Sequence, residues 1–225
     1  MWSAVLEARE ADTPHALQAL ERLARAYWRP LYIFLRQRGR EHEMAEEAVQ
    51  GFFEHLLSRD FLRFVQPCEG KFRTFLLMSF TRWLNDQGDR ARAAKRGGGV
   101  TPIPLPEFDS VRELAQPASE TPEMSFDRRW AREIFERAMQ RVGEAWSIRG
   151  ALFIALRPTI AGESVAEDYA SIGARLGMTE GAVKKAAFDL RALFARTIRE
   201  EIRLTVRDDA AVDDELRYLI RLLRQ

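Results

Sequence analysis

Cysteine and histidine are scarce in this chain of 225 residues, which has one cysteine and three histidines. A single thiol, Cys68, excludes a disulfide framework and any metal site built from several cysteines. A HExxH zinc motif starting at His42 would need a second histidine where Glu46 stands. A di-iron Glu-x-x-His motif ending at His55 would need a glutamate where Phe52 stands. We therefore expect no metal and no cofactor.

Long apolar runs and net charge are also lacking. No run approaches the roughly 18 apolar residues of a membrane span, and the opening MWSAVLEARE has no basic region followed by an apolar stretch. Both absences predict a cytoplasmic protein. Lys and Arg total 35 against 34 Asp and Glu, so the net charge is +1. A polyanion-binding surface must therefore come from the segregation of charge along the chain.

Proline placement divides the chain in two. Five of the nine prolines lie between Pro102 and Pro122, after three consecutive glycines, and the stretch from Glu107 to Asp127 has six acids and one base. This composition is typical of a linker, which we place at residues 97–125. Helical periodicity on both sides, without strand alternation, predicts an all-α fold. The expected domains are 1–96 and 126–206, with a C-terminal extension at 207–225.

Helix boundaries can be placed from caps, prolines and glycines. The first helix should begin at Pro14, be interrupted at Pro30 and resume until Gly39. Further helices are expected at about 41–57, at about 71–95, after Phe126 and at 151–156.

The strongest local signal is a helix-turn-helix pattern between Glu167 and Phe194. Gly177 supplies the turn, and Thr179 is suited to cap the second helix. Apolar residues of the first helix (Tyr169, Ile172, Leu176) and of the second (Val183, Leu190) should face a core. The second helix of this motif enters the DNA major groove, and its outward positions here are Glu180, Lys184, Lys185 and Arg191. The alternative is an αα-hairpin whose basic face is merely solvated.

A second basic region runs from Lys71 to Arg96, with seven bases and two acids. Its bases cluster towards the end, and aromatic residues are interleaved among them. Such a surface can track a phosphate backbone and stack unpaired bases. Most of the rings nevertheless have the spacing of a buried stripe.

These segments together resemble the bacterial RNA polymerase sigma factors of the extracytoplasmic-function type. AEEAVQGFFEHLL is similar to the clamp-binding helix of region 2, KFRTFLLMSFTRWLNDQGDRARAAKR to the promoter-melting, −10-reading helix, and YASIGARLGMTEGAVKKAAFDLRALF to the −35-reading motif of region 4. The resemblance covers nearly the whole chain. It implies a region 2 domain, a flexible linker and a region 4 domain, with core polymerase and promoter DNA as partners. The free protein is expected to be a monomer.

The resemblance also implies roles for individual residues. Polymerase binding falls on Glu46, Glu47, Gln50 and Phe53. Contact with the −10 element falls on Lys71, Arg73, Arg82, Trp83, Arg90 and Arg92. Contact with the −35 element falls on Thr179, Glu180, Lys184, Lys185 and Arg191. Ala186 and Asp189 stand where many members carry basic or polar residues, which predicts an unusual readout of the −35 element.

A different function remains open at this point. A stand-alone helix-turn-helix regulator with a helical sensor domain shares the helix-turn-helix, but it needs neither the second basic helix nor the AEEAVQGFF segment. Such a regulator would bind duplex DNA without polymerase.

The C-terminal extension joins an acidic segment, RDDAAVDD, to ELRYLIRLL. Leu216, Leu219, Ile220 and Leu223 form an apolar stripe that should pack on something. The extension is expected either to extend the core of the C-terminal domain or to dock across both domains as a brake on DNA binding. An anti-sigma protein or a kinase is an equally open regulator.

Overall fold

The computed structural model describes residues 14–56, 58, 71–94, 120–160, 168–206 and 209–224. Throughout these ranges the regular structure is helical, without a strand, as the all-α prediction requires. The α-helices in chain order are α1 (Pro14–Gln37), α2 (His42–Leu56), α3 (Phe72–Ala94), α4 (Pro122–Ala145), α5 (Gly150–Leu156), α6 (Tyr169–Leu176), α7 (Glu180–Arg203) and α8 (Ala210–Leu223). Single 3-10 turns, Ser147–Arg149 and Arg157–Ile160, flank α5.

The chain divides into two compact units at places that differ from the expected domain limits. Unit 1 consists of Met1–Ala131 and Leu204–Gln225, and unit 2 of Arg132–Arg203. The first division falls inside α4, so the start of this helix belongs to unit 1. Most of the expected linker, residues 97–119, lies outside the described residues, whereas 122–125 are already helical. The expectation that the extension completes the core of the C-terminal domain is wrong, because the extension belongs to unit 1.

Aromatic rings fill the core of unit 1. Tyr27, Phe52, Phe72, Phe80 and Phe126 are fully buried. The rings of Phe52 and Phe80 lie 4.9 Å apart, and those of Tyr27 and Phe72 lie 5.4 Å apart. Tilted and edge-on ring pairs at these separations stabilise a core beyond the area that they bury.

The predicted interruption of the first helix at Pro30 is wrong, because α1 continues through this proline to Gln37. A proline in a helix loses one backbone hydrogen bond and costs about 3 kcal/mol. Tyr27 precedes the proline, whereas Leu31 and Phe34 follow it. All three side chains are buried. Burial on both sides therefore offsets the lost bond. The helix ends at Gln37 and is followed by a turn at Gly39, where φ is +75°, so the expected stop at this glycine is confirmed.

The core of unit 2 is a small cluster that joins the end of α4 to α5, α6 and α7. Its members are Val142, Trp146, Leu152, Leu156, Ile172, Val183, Ala186, Ala187 and Leu190. Ile172, Val183 and Leu190 face inwards as the sequence predicts. Ala186 is buried as well, so this position of α7 faces the core and is not part of an outward DNA-reading face.

Local hydrogen bonds define the helix-turn-helix of α6 and α7. The Asp168 carboxylate accepts a 2.7 Å bond from the Ser171 backbone N–H and caps α6, which lowers the pKa of Asp168. Gly177 takes the left-handed conformation at φ +66° that ends α6. The Thr179 hydroxyl accepts a 3.2 Å bond from the Ala182 N–H at the start of α7. The turn at Gly177 and the cap at Thr179 are therefore confirmed.

Gly173 is a second constraint on the motif. The Met178 N–H donates to the Gly173 carbonyl at 2.8 Å. A Cβ on Gly173 would lie 2.7 Å from the Met178 carbonyl oxygen, closer than real Cβ atoms come. Only a residue without a side chain therefore lets the turn close over α6.

We predict that Gly173→Ala destabilises the protein by about 1–3 kcal/mol, the usual cost of overpacking a close contact. The matched control is Gly181→Ala on α7, where an added Cβ meets nothing within 4 Å. The control should gain up to about 1 kcal/mol, because alanine is a better helix former than glycine. Urea unfolding of the full chain, followed by circular dichroism, measures both changes. Equal stability of the two variants would contradict the role given to Gly173.

Candidate nucleic-acid interface

The outward face of α7 has bases that are paired with acids on the same helix. Glu180 lies 2.6 Å from Lys184, and Asp189 lies 2.8 Å from Lys185, each pair four residues apart. The hydrogen bond from Glu180 raises the pKa of Lys184. All four side chains are exposed, as is Arg191. Exposed pairs of this kind contribute little stability, so the ammonium groups can exchange these carboxylates for other anions.

The sequence interpretation missed an aromatic residue on this face. Phe188 is 66% exposed. On the surface of the helix it lies between the Lys185–Asp189 pair on one side and Arg191 on the other. The signal was present in the sequence, because position 188 is one helical turn beyond Lys184 and therefore on the same face. A large apolar side chain left in water on a potential DNA-reading helix is a candidate contact for the methyl group of thymine.

The α3 helix of unit 1 exposes some of its expected DNA-binding residues. Arg82 and Arg90 are exposed, whereas the side chain of Arg92 lies outside the described residues. Trp83 is half-buried, and its ring lies 6.0 Å from Phe52. A Cβ on Gly51 would come within 3.2 Å of this indole. Part of the Trp83 ring therefore belongs to the core, and the remainder is available at the surface.

Arg73 is buried, contrary to the expectation from the sequence, and Lys71 beside it is half-buried. Glu215 of α8 is fully buried and accepts a 2.8 Å bond from Arg73 Nε. Its other oxygen lies 2.5 Å from Lys71 Nζ. The Asp127 carboxylate accepts a bond from Arg73 Nη1. Both bases are thus bound by carboxylates of unit 1. Arg73 is not part of the accessible surface, whereas Lys71 stays partly exposed.

Aromatic side chains complete the surroundings of Arg73. The guanidinium carbon lies 4.4 Å from the ring centroid of Tyr218 and 5.0 Å from that of Trp130. The Tyr218 hydroxyl donates a hydrogen bond to Asp127. Burial together with this bond raises the pKa of Tyr218 to about 12. Burial opposes the charged form of Arg73, but Glu215 and Asp127 raise its pKa above the ordinary value. We call Lys71, Arg73, Asp127, Glu215 and Tyr218 the Arg73 cluster.

The α2 helix presents part of the expected polymerase-binding face. Glu47 is exposed and Glu46 half-buried, with Glu46 3.6 Å from His42 Nε2. Gln50 donates a 3.1 Å bond to Glu54. Phe53, by contrast, is only 6% exposed. Its ring packs inside unit 1 and cannot anchor a partner, so the accessible surface of α2 is acidic and polar.

Some site types are not found among the residues described. These residues contain no group of three or more His, Cys, Asp or Glu side chains placed to hold a metal ion. None of the described helices is long and apolar enough to cross a membrane. Among the described residues, three surfaces carry the charged side chains predicted to bind a macromolecule: the outward face of α7, the exposed arginines of α3 and the acidic face of α2.

The chain matches no family model, no curated protein and no solved structure.

Proposed function

We propose that this chain is a promoter-recognition and promoter-melting subunit of bacterial RNA polymerase, a sigma factor resembling the extracytoplasmic-function type. The observation that carries the proposal is the capped helix-turn-helix of α6 and α7. Its second helix exposes Lys184, Lys185, Phe188 and Arg191 on one face. Arg82 and Arg90 of α3, which are exposed beside Asp86 and Asp89, supply a second surface with accessible cations in the other unit, which a stand-alone regulator does not need.

Each surface suits a different form of DNA. The α7 face carries side chains that can bind phosphates and base edges of a duplex. The α3 surface joins arginines to the half-buried ring of Trp83, a combination that binds backbone and base of an unpaired strand. In this proposal α7 contacts the −35 element and α3 holds the strand displaced at the −10 element. The chain makes and breaks no covalent bond, and nucleotidyl transfer belongs to the polymerase.

Contact with polymerase is assigned to the acidic side of α2. Glu46 and Glu47 would meet a basic helix of the largest subunit, and Gln50 would add a polar contact. Acidic side chains at the rim of an interface favour one partner over others and speed association. The burial of Phe53 removes the aromatic anchor expected from the sequence, so this interface depends more on charge and should be more sensitive to salt.

Reversal of charge on α2 tests the polymerase assignment. We predict that Glu46→Lys with Glu47→Lys weakens binding to core polymerase at least about a hundredfold, since like charges across an interface cost several kcal/mol. The matched control reverses Glu136 and Glu144, two exposed acids of α4, and should bind normally. Equal binding by both double variants would remove α2 from the interface. Tight promoter binding by wild type without polymerase would favour the stand-alone regulator.

Promoter opening tests the α3 assignment. We predict that Arg82→Ala with Arg90→Ala reduces the permanganate reactivity of −10 thymines by about tenfold or more, because each charge-assisted contact contributes about 1.5–3 kcal/mol. The control, Arg25→Ala with Arg40→Ala, removes two exposed arginines from unit 1 outside α3. It should open the promoter normally. Normal opening by the α3 variant, with polymerase bound, would show that α3 does not hold the displaced strand.

Phe188 gives a test of base reading by α7. Replacing thymine by uracil removes only the methyl group. Burial of that methyl group against Phe188 contributes about 0.8 kcal/mol to the free energy of binding. We predict about fourfold weaker holoenzyme binding at one or two −35 positions, and no such discrimination in Phe188→Ala. As a control, Lys185→Ala should weaken both DNAs equally and lower the salt slope by about one. Full thymine discrimination in Phe188→Ala would place this ring away from the bases.

A further inference from the structure

The C-terminal helix α8 is fixed to unit 1 through a buried charge. Val212, Leu219 and Leu222 form its buried apolar stripe, and the fully buried Glu215 stands among them. The stripe predicted from the sequence is therefore partly wrong, because Ile220 and Leu223 are exposed. Replacing a buried ion pair by well-packed apolar residues is often neutral or stabilising. A carboxylate at this position is thus not the most stable way of attaching a helix permanently.

Glu215 contacts the cationic side chains at the start of α3 as a bound anion would. Its two oxygens meet Lys71 and Arg73, the same groups that bind a phosphate of nucleic acid. The ring centroid of Tyr218 lies 5.1 Å from Lys71 Nζ and 4.4 Å from Arg73 Cζ. Displacement of α8 would expose two further bases at the start of α3, the helix that also carries Arg82 and Arg90.

The segment that precedes α8 is held on unit 1 by contacts of its own. The Phe72 N–H donates a 3.1 Å bond to the Thr205 carbonyl, and Thr205 and Val206 are buried. These contacts do not involve α8, so its release concerns residues 210–223 alone.

We propose that α8 is a releasable latch, in which Glu215 acts as an internal substitute for a DNA phosphate at Lys71 and Arg73. This inference rests on the proposed function, because the surface that α8 covers is part of the one by which α3 would bind promoter DNA. In the free chain the latch keeps the start of α3 covered. In the promoter complex the displaced strand takes the place of Glu215, and α8 leaves unit 1.

Hydrogen–deuterium exchange on the full chain tests the latch. Backbone amides of residues 210–223 are measured in the free protein and in the complex with core polymerase and promoter DNA. We expect exchange in this segment to be about tenfold faster or more in the complex, while residues 31–37 of α1 keep their protection. Unchanged protection of 210–223 in a complex that has formed would overturn the latch and leave the proposed function standing. Failure to form a complex would overturn the proposed function, and the latch with it.

A charge variant provides the second measurement. Glu215→Gln keeps the size of the side chain and removes its charge, so α8 should exchange about a hundredfold faster or more in the free chain and promoter opening should increase. The control, Asp214→Asn, loses the same charge from the same helix at a position 72% exposed, and should change neither. Reduced opening by Glu215→Gln, with the helical circular dichroism signal intact, would show that α8 is a permanent part of unit 1. If Glu215→Gln fails to fold, exchange of the wild-type chain still decides.

Discussion

The buried guanidinium of Arg73 is the interaction on which the organisation of unit 1 depends. It bonds two carboxylates from distant parts of the sequence, Asp127 at the start of α4 and Glu215 of α8. Taking these charges out of water is costly, and removal of one partner leaves a buried charge unpaired, at a cost of about 3–5 kcal/mol. The cluster therefore constrains α3, α4 and α8 to one another as a group. It also explains why α8, near the end of the chain, belongs to the same unit as α3.

The helices and the helix-turn-helix could be predicted from the sequence because they depend on neighbouring residues. Gly177 supplies a left-handed turn and Thr179 a cap, and both act within a few residues of their position in the chain. Gly173 was missed because its constraint is a close approach between two backbone segments. Composition and periodicity do not report such an approach.

Residues whose surroundings come from distant segments were the least predictable. Lys71 and Arg73 have the composition of a DNA-binding surface, and only the partner Glu215, more than 140 residues away, shows that both are paired and that Arg73 is buried. Phe52 and Phe53 are adjacent aromatic residues on α2. The sequence predicts that Phe53 is available to a partner, whereas both rings are buried. The exposed Phe188 is the opposite case, an apolar residue that helical spacing alone could have placed outwards.

Charge pairing on α7 bears on how such a helix could select DNA. The carboxylates of Glu180 and Asp189 already hold Lys184 and Lys185, so a phosphate gains these lysines only by displacing an acid. The net electrostatic attraction to any duplex is therefore weaker than two free lysines would give. Contacts that depend on the base, such as an apolar contact to a thymine methyl, then make up a larger share of the binding free energy. A recognition helix of this kind gives up general affinity for DNA and gains in the ratio between specific and non-specific sites, which is the quantity that matters among many competing sequences.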